Sequence, residues 1–116
     1  MSYHKAIEIK PDYAKAHYNL GVILNDLGKS RDAELSTRKA IEIKPNFAEA
    51  HYNLGIILND LSKLQDAELS TRNAIGIKPD FAKAHYNLGV ILNDLGKSKE
   101  AFNSVSYTHL TLPTKA

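Results

Sequence analysis

The chain counts in thirty-fours. Ala14–Phe47 reads AKAHYNLGVILNDLGKSRDAELSTRKAIEIKPNF, and Ala48–Phe81 follows without a gap, differing at eight of the 34 positions. A third copy, AKAHYNLGVILNDLGKSKEAFN, starts at Ala82, and upstream KAIEIKPDY (Lys5–Tyr13) repeats KAIEIKPNF (Lys39–Phe47). Such a period means that each copy is one supersecondary unit. A unit of this size cannot bury its apolar face alone and must stack on its neighbours.

Each copy reads as two helices. His17, Leu20, Gly21, Leu24 and Leu27 recur at three- and four-residue steps, which predicts a helix from Ala14 to Leu27 with these side chains inward. Gly28 and Lys29 break it. A second helix begins near Ser30 or Arg31, turns Ala33, Thr37, Ala40 and Ile41 inward, and is stopped by Pro45, which lacks the N–H a helix needs and biases Lys44 toward extended angles. Gly21, Gly55 and Gly89 recur in mid-helix, where each costs about 1 kcal/mol relative to alanine. A cost repeated in register implies a helix approach too close for a side chain. Ala33, Ala40, Ala67 and Ala74 supply the small facing surface.

The succession of small alanines, His-Tyr-Asn-Leu-Gly, Leu-Gly-Lys, Asp-Ala, Lys-Ala-Ile and Pro resembles the tetratricopeptide repeat, from Lys5 to about Asn103. That resemblance implies an all-α protein, a right-handed α-solenoid of antiparallel helix-turn-helix units. Residues 1–13 would be the second helix of a preceding repeat, 14–47 and 48–81 two full repeats, and 82–104 a truncated third. Three departures from the family pattern stand out. His17, His51 and His85 occupy the usual tryptophan position and are expected to fill that slot between helices. Leu24, Leu58 and Leu92 replace a tyrosine, and Thr37 and Thr71 stand where a large aromatic is common. Aromatic packing should therefore be thinner than in the family consensus.

From Ser104 the chain loses its count. The register asks for something like TRKAIEIKP, but VSYTHLTLPT follows, and these residues resemble the translation of a transposase adapter used in preparing sequencing libraries. Residues 105–116 thus read as a non-native tail, and the chain as a fragment of a longer array. The last repeat's second helix would be cut short, with Thr108 in place of an alanine and Pro113 ending any helix. The exposed face of this terminal repeat is expected to favour self-association.

Composition serves mainly to exclude. Net charge is +2, with bases and acids interleaved and no basic block, so neither nucleic acid nor a membrane surface is an expected partner. There is no cysteine, no long apolar run and no secretion signal; the chain reads as soluble and cytoplasmic. The histidines lack metal-ligand spacing, and no nucleophile elbow or phosphate-binding loop is present, so neither catalysis, cofactor nor metal is expected.

The stripe beside the core face carries the functional expectation. On the first helix of each repeat it comprises Tyr18, Asn19, Val22, Asn25 and Asp26; then Tyr52, Asn53, Ile56, Asn59 and Asp60; then Tyr86, Asn87, Val90, Asn93 and Asp94. Lys15, Glu49 and Lys83 precede each set. In tetratricopeptide arrays these positions line the concave, peptide-binding groove. The family's carboxylate clamp needs lysine and asparagine where this chain has Tyr18 and Val22, so that activity does not carry over. Asn19, Asn53 and Asn87 resemble the asparagine ladder of O-linked N-acetylglucosamine transferases, where amides meet a peptide backbone; the alternative is that they satisfy nearby helix ends. The expected function is a protein-interaction scaffold that takes a partner peptide, basic in character, into the groove. A substrate-recruiting arm of a larger glycosyltransferase or methyltransferase would present the same groove.

Overall fold

The computed structural model describes the backbone of residues 2–97 and the side chains of residues 13–97. All of the regular structure among them is helical: α1 (Ser2–Asp26), α2 (Ser30–Ile43), α3 (Ala48–Asp60), α4 (Leu64–Ile77) and α5 (residues 82–97). The tail and the second helix of the third repeat, on which the expectations at Thr108 and Pro113 fall, lie outside the described residues.

α1 pairs with α2 and α3 with α4 as antiparallel hairpins, and α3 then stacks on α2, so the units form an all-α repeat solenoid. Each hairpin turns in the same way. The Gly28 N–H donates to the Asn25 carbonyl at 2.9 Å and the Lys29 N–H to that of Leu24 at 2.8 Å; Ser62 and Lys63 make the equivalent bonds to Asn59 and Leu58. This pairing satisfies the last carbonyls of the helix and requires a left-handed residue at its exit. Gly28 takes that conformation freely at φ 80°, whereas Ser62, at φ 62°, takes it against the steric preference of a side chain.

The close approach inferred at the mid-helix glycines is present. A Cβ on Gly21 would run into Thr37 Oγ1 and lie 3.3 Å from the Ala33 carbonyl oxygen; one on Gly55 would meet Thr71 Oγ1 and Ala67 in the same way. Thr37 and Thr71 are fully buried at this crossing, beside Ala33, Ala40, Ala67 and Ala74. The threonines are small enough for the helices to close at this crossing.

Three expectations require correction. The residues before Tyr13 do not form a separate helix: α1 runs unbroken through Pro11, although the equivalent Pro45 and Pro79 stand in turns. The helix continues through Pro11 at the cost of the hydrogen bond that this residue cannot donate. Second, His51 and His85 do not fill an interhelical slot. His51 Nε2–H donates to the Pro45 carbonyl at 2.8 Å and His85 Nε2–H to Pro79 at 2.7 Å, both rings tying the preceding turn rather than entering the core. A carbonyl only accepts, so the Nε2 proton is required. Third, Leu20 and Leu27 are exposed, whereas Leu54, the counterpart of Leu20, is buried, and Leu61, the counterpart of Leu27, is half-buried. Ile57 and Ile91, outside the expected inward set, are fully buried, since this position meets the preceding repeat rather than the helix's own hairpin partner.

Candidate peptide-binding groove

The first helices of successive repeats lie side by side, and their stripe residues meet across the junction. Tyr18 of α1 packs on Phe47 with ring centroids 5.0 Å apart at 45°, and Tyr52 of α3 repeats this on Phe81 with the same spacing and tilt. Beneath each pair the preceding lysine closes the stack: Lys44 Nζ lies 4.9 Å from the Phe47 ring centre and Lys78 Nζ 4.9 Å from that of Phe81. Each tyrosine is therefore half-buried and held by a phenylalanine that the turn delivers, a rigid flat surface with a hydroxyl at its edge.

Between these stacks lies a hollow of about 400 Å³, lined by Tyr18, Glu49, Tyr52, Lys78, Phe81 and Lys83, among others. Burial raises the Tyr18 pKa, and the Glu49 carboxylate and Tyr52 push it further, so its hydroxyl stays protonated as a donor. Glu49 faces Lys78 at 3.6 Å; both side chains are about half exposed, and the pair contributes little. In the first repeat Lys15 occupies the Glu49 position, leaving that pair without an analogue.

Farther along the stripe the polar residues bridge repeats. Asn25 Nδ2–H donates to Asp60 Oδ2 at 3.2 Å while its Oδ1 accepts from Ser30 Oγ at 3.0 Å. Val22, Ile56 and Asn59 are half-buried, and Asp26 and Asp60 are exposed. In the third repeat Tyr86 and Asn93 are exposed, and Val90 and Asp94 are half-buried.

Two of the three asparagines depart from the open stripe. Asn53 is buried, and its amide donates to Thr37 Oγ1 at 3.4 Å; Asn87 reaches Thr71 Oγ1 at 3.5 Å, while Asn19 is exposed. This amide links successive repeats at the tight glycine–threonine crossing. Thr37 and Thr71 sit sixteen positions before their asparagines, so the pairing is a tertiary contact that no local spacing could suggest. In the first two repeats the stripe that stays open is Tyr18, Asn19, Val22, Asn25 and Asp26 with Tyr52, Ile56, Asn59 and Asp60. The turn residues Phe47, Lys78 and Phe81 complete it; sequence reasoning passed over them because they lie outside the first helices. Their recurrence before each new repeat was the available signal.

Tetratricopeptide repeat family models match residues 14–47, 37–68 and 82–104. No curated protein matches significantly in sequence. Among solved structures, the second tetratricopeptide domain of Spaghetti (RPAP3), bound to the HSP90 peptide SRMEEVD, superposes with a TM-score of 0.75 at 23% identity, over 91% of this chain and 97% of that one. The first such domain of the same protein, bound to the same peptide, gives 0.71 at 20% identity, over 82% and 81%. MamA protein gives 0.70 at 22% identity, over 97% of this chain and 68% of that one. At these identities the likeness establishes the fold.

Proposed function

The chain belongs to the tetratricopeptide repeat family, and from that premise we propose that it is a protein-interaction scaffold whose groove, built on Tyr18, Ile56 and Tyr52, holds an extended peptide segment of a partner. The observation that carries this reading is the pair of tyrosines half-buried on phenylalanines around a hollow that no element of the described chain fills. Rigid amphipathic rings contribute contact area at little entropic cost, which suits them as affinity anchors. Two structural neighbours hold a short peptide, which supports the class of ligand.

The partner's chemistry differs from that of the acidic SRMEEVD peptide. Asp26, Asp60 and Asp94 recur along one end of the stripe, and Val22 and Tyr18 replace the groups that a carboxylate clamp needs. A segment carrying lysine or arginine complements that line, mainly through faster association that salt weakens.

The test is a selection of peptides from a display library on the full chain. Enriched peptides should be rich in basic residues. Tyr18→Ala should weaken them by about tenfold or more with helical content nearly unchanged, while Leu35→Ala, on the exposed outer side of α2, should leave binding intact. Peptides sensitive to Leu35→Ala and indifferent to Tyr18→Ala would place the function on the outer surface and refute the groove.

A further inference from the structure

The two full repeats differ at eight of 34 positions, and two of those differences meet in one place. Glu49 stands where the first repeat has Lys15, and Asp80 where it has Asn46; both line the hollow of about 400 Å³ that Tyr18, Tyr52 and Phe81 wall. The third repeat returns to lysine, Lys83, at the Glu49 position. Of three equivalent positions in an array that otherwise copies itself closely, only this one carries a carboxylate, and it opens onto aromatic rings.

The rings and the carboxylate select the same kind of group. Ring faces carry the negative part of the aromatic quadrupole and attract a cation. Lys78 already illustrates this, with Nζ 4.9 Å from the Phe81 ring centre and 3.6 Å from Glu49 Oε2. It does not exhaust Glu49: both side chains are about half exposed, so the pair is weak, and a carboxylate accepts from several donors at once. An anion entering the hollow would gain Lys78 and Lys83 but would face Glu49, Asp80 and the ring faces together. A guanidinium gains the carboxylates and the rings. It stacks flat on a tyrosine, forks onto a carboxylate, and gives up less hydration than an ammonium.

We infer that the hollow between Tyr18 and Tyr52 is an arginine subsite, in which one arginine of the partner segment lays its guanidinium against a tyrosine face and donates to the Glu49 carboxylate. This rests on the groove reading above and fixes the register of the segment within it. Lys15 and Lys83 stand at the equivalent positions on either side, so the subsite is single among these repeats. Basic residues elsewhere in the segment meet only the exposed line of Asp26 and Asp60.

The probe is the most enriched peptide from display selection on the full chain, labelled and titrated by fluorescence anisotropy. One arginine should dominate: its replacement by glutamine should weaken binding about tenfold, and its replacement by lysine should recover part of that loss. Glu49→Gln should weaken the parent peptide about as much yet leave the glutamine peptide nearly unaffected, a coupling that identifies the pair. Selection repeated on Glu49→Lys, which installs the residue of the flanking repeats, should lose the enriched arginine; selection on Glu42→Lys, the same charge change at an exposed position of α2, should keep it. A selected peptide without arginine, or equal losses for both peptides on Glu49→Gln, with Tyr18→Ala still weakening the parent peptide, would overturn the subsite and leave the groove standing. No enriched peptide, or none sensitive to Tyr18→Ala, would overturn both.

Discussion

Gly55 stands where α3 crosses α4, and replacing it with alanine tests the physics of the whole array. Helix propensity favours the change by about 1 kcal/mol. Against it, the new methyl group meets the Thr71 hydroxyl and lies 3.3 Å from the Ala67 carbonyl oxygen. That hydroxyl is not free to move, because it donates to the Ala67 carbonyl at 2.8 Å and accepts from Asn87 of the next repeat at 3.5 Å. The helices must separate or the hydroxyl must leave its partners. Overpacking costs about 1–3 kcal/mol, and loss of a buried hydrogen bond about 1 kcal/mol more. The balance is a net destabilisation of about 1–3 kcal/mol, read from urea denaturation followed by far-ultraviolet circular dichroism. Thr71→Ala removes the obstructing group, so the double variant should be more stable than the sum of the two single effects by about 1 kcal/mol or more. A stabilised Gly55→Ala, or strict additivity with Thr71→Ala, would refute the close-contact account of the recurring glycines.

The same reasoning gives the opposite sign elsewhere. Gly76 lies exposed inside α4, where a Cβ would have no neighbour within 4 Å, and its counterpart is Glu42; Gly76→Glu should stabilise the chain by about 0.5–1 kcal/mol in thermal melts. Ser62→Gly relieves the left-handed strain that Gly28 avoids, for a gain of about 0.5–1 kcal/mol after glycine's own entropic cost, measurable by the same denaturation. At Glu34, burial works against the charge, but hydrogen bonds from Arg38 at 2.9 Å and Lys63 at 3.2 Å outweigh it and hold the carboxyl below the usual glutamate range. A lowered folded-state pKa gives stability that is present above the unfolded value and lost as pH falls through the folded one. The wild-type chain should therefore lose its margin over Glu34→Gln between about pH 5 and 3, as followed by melting temperature against pH.

The sequence alone determined the period, the helix pairs and most helix ends, because these rest on local chemistry. Pro45 and Pro79 cannot continue a helix, Gly28 suits a left-handed exit, and α2 accordingly runs from Ser30 to Ile43. The glycine crossings were legible too, since a helix that keeps an unfavourable residue in register must gain a contact from it. Identical residues with different neighbours were beyond its reach. Leu20 and Leu54 share nearly every local feature, yet one is exposed and the other buried, because among the described residues only the second has a hairpin packed before it. Asn53 reads as a groove residue until the stacking of repeats brings Thr37 against its amide. His51 reads as core until the turn at Pro45 presents a carbonyl. In a repeat array the local pattern sets which atoms each unit offers, and the neighbouring unit, through burial and hydrogen bonds that no sequence window contains, decides which of them remain open to a partner.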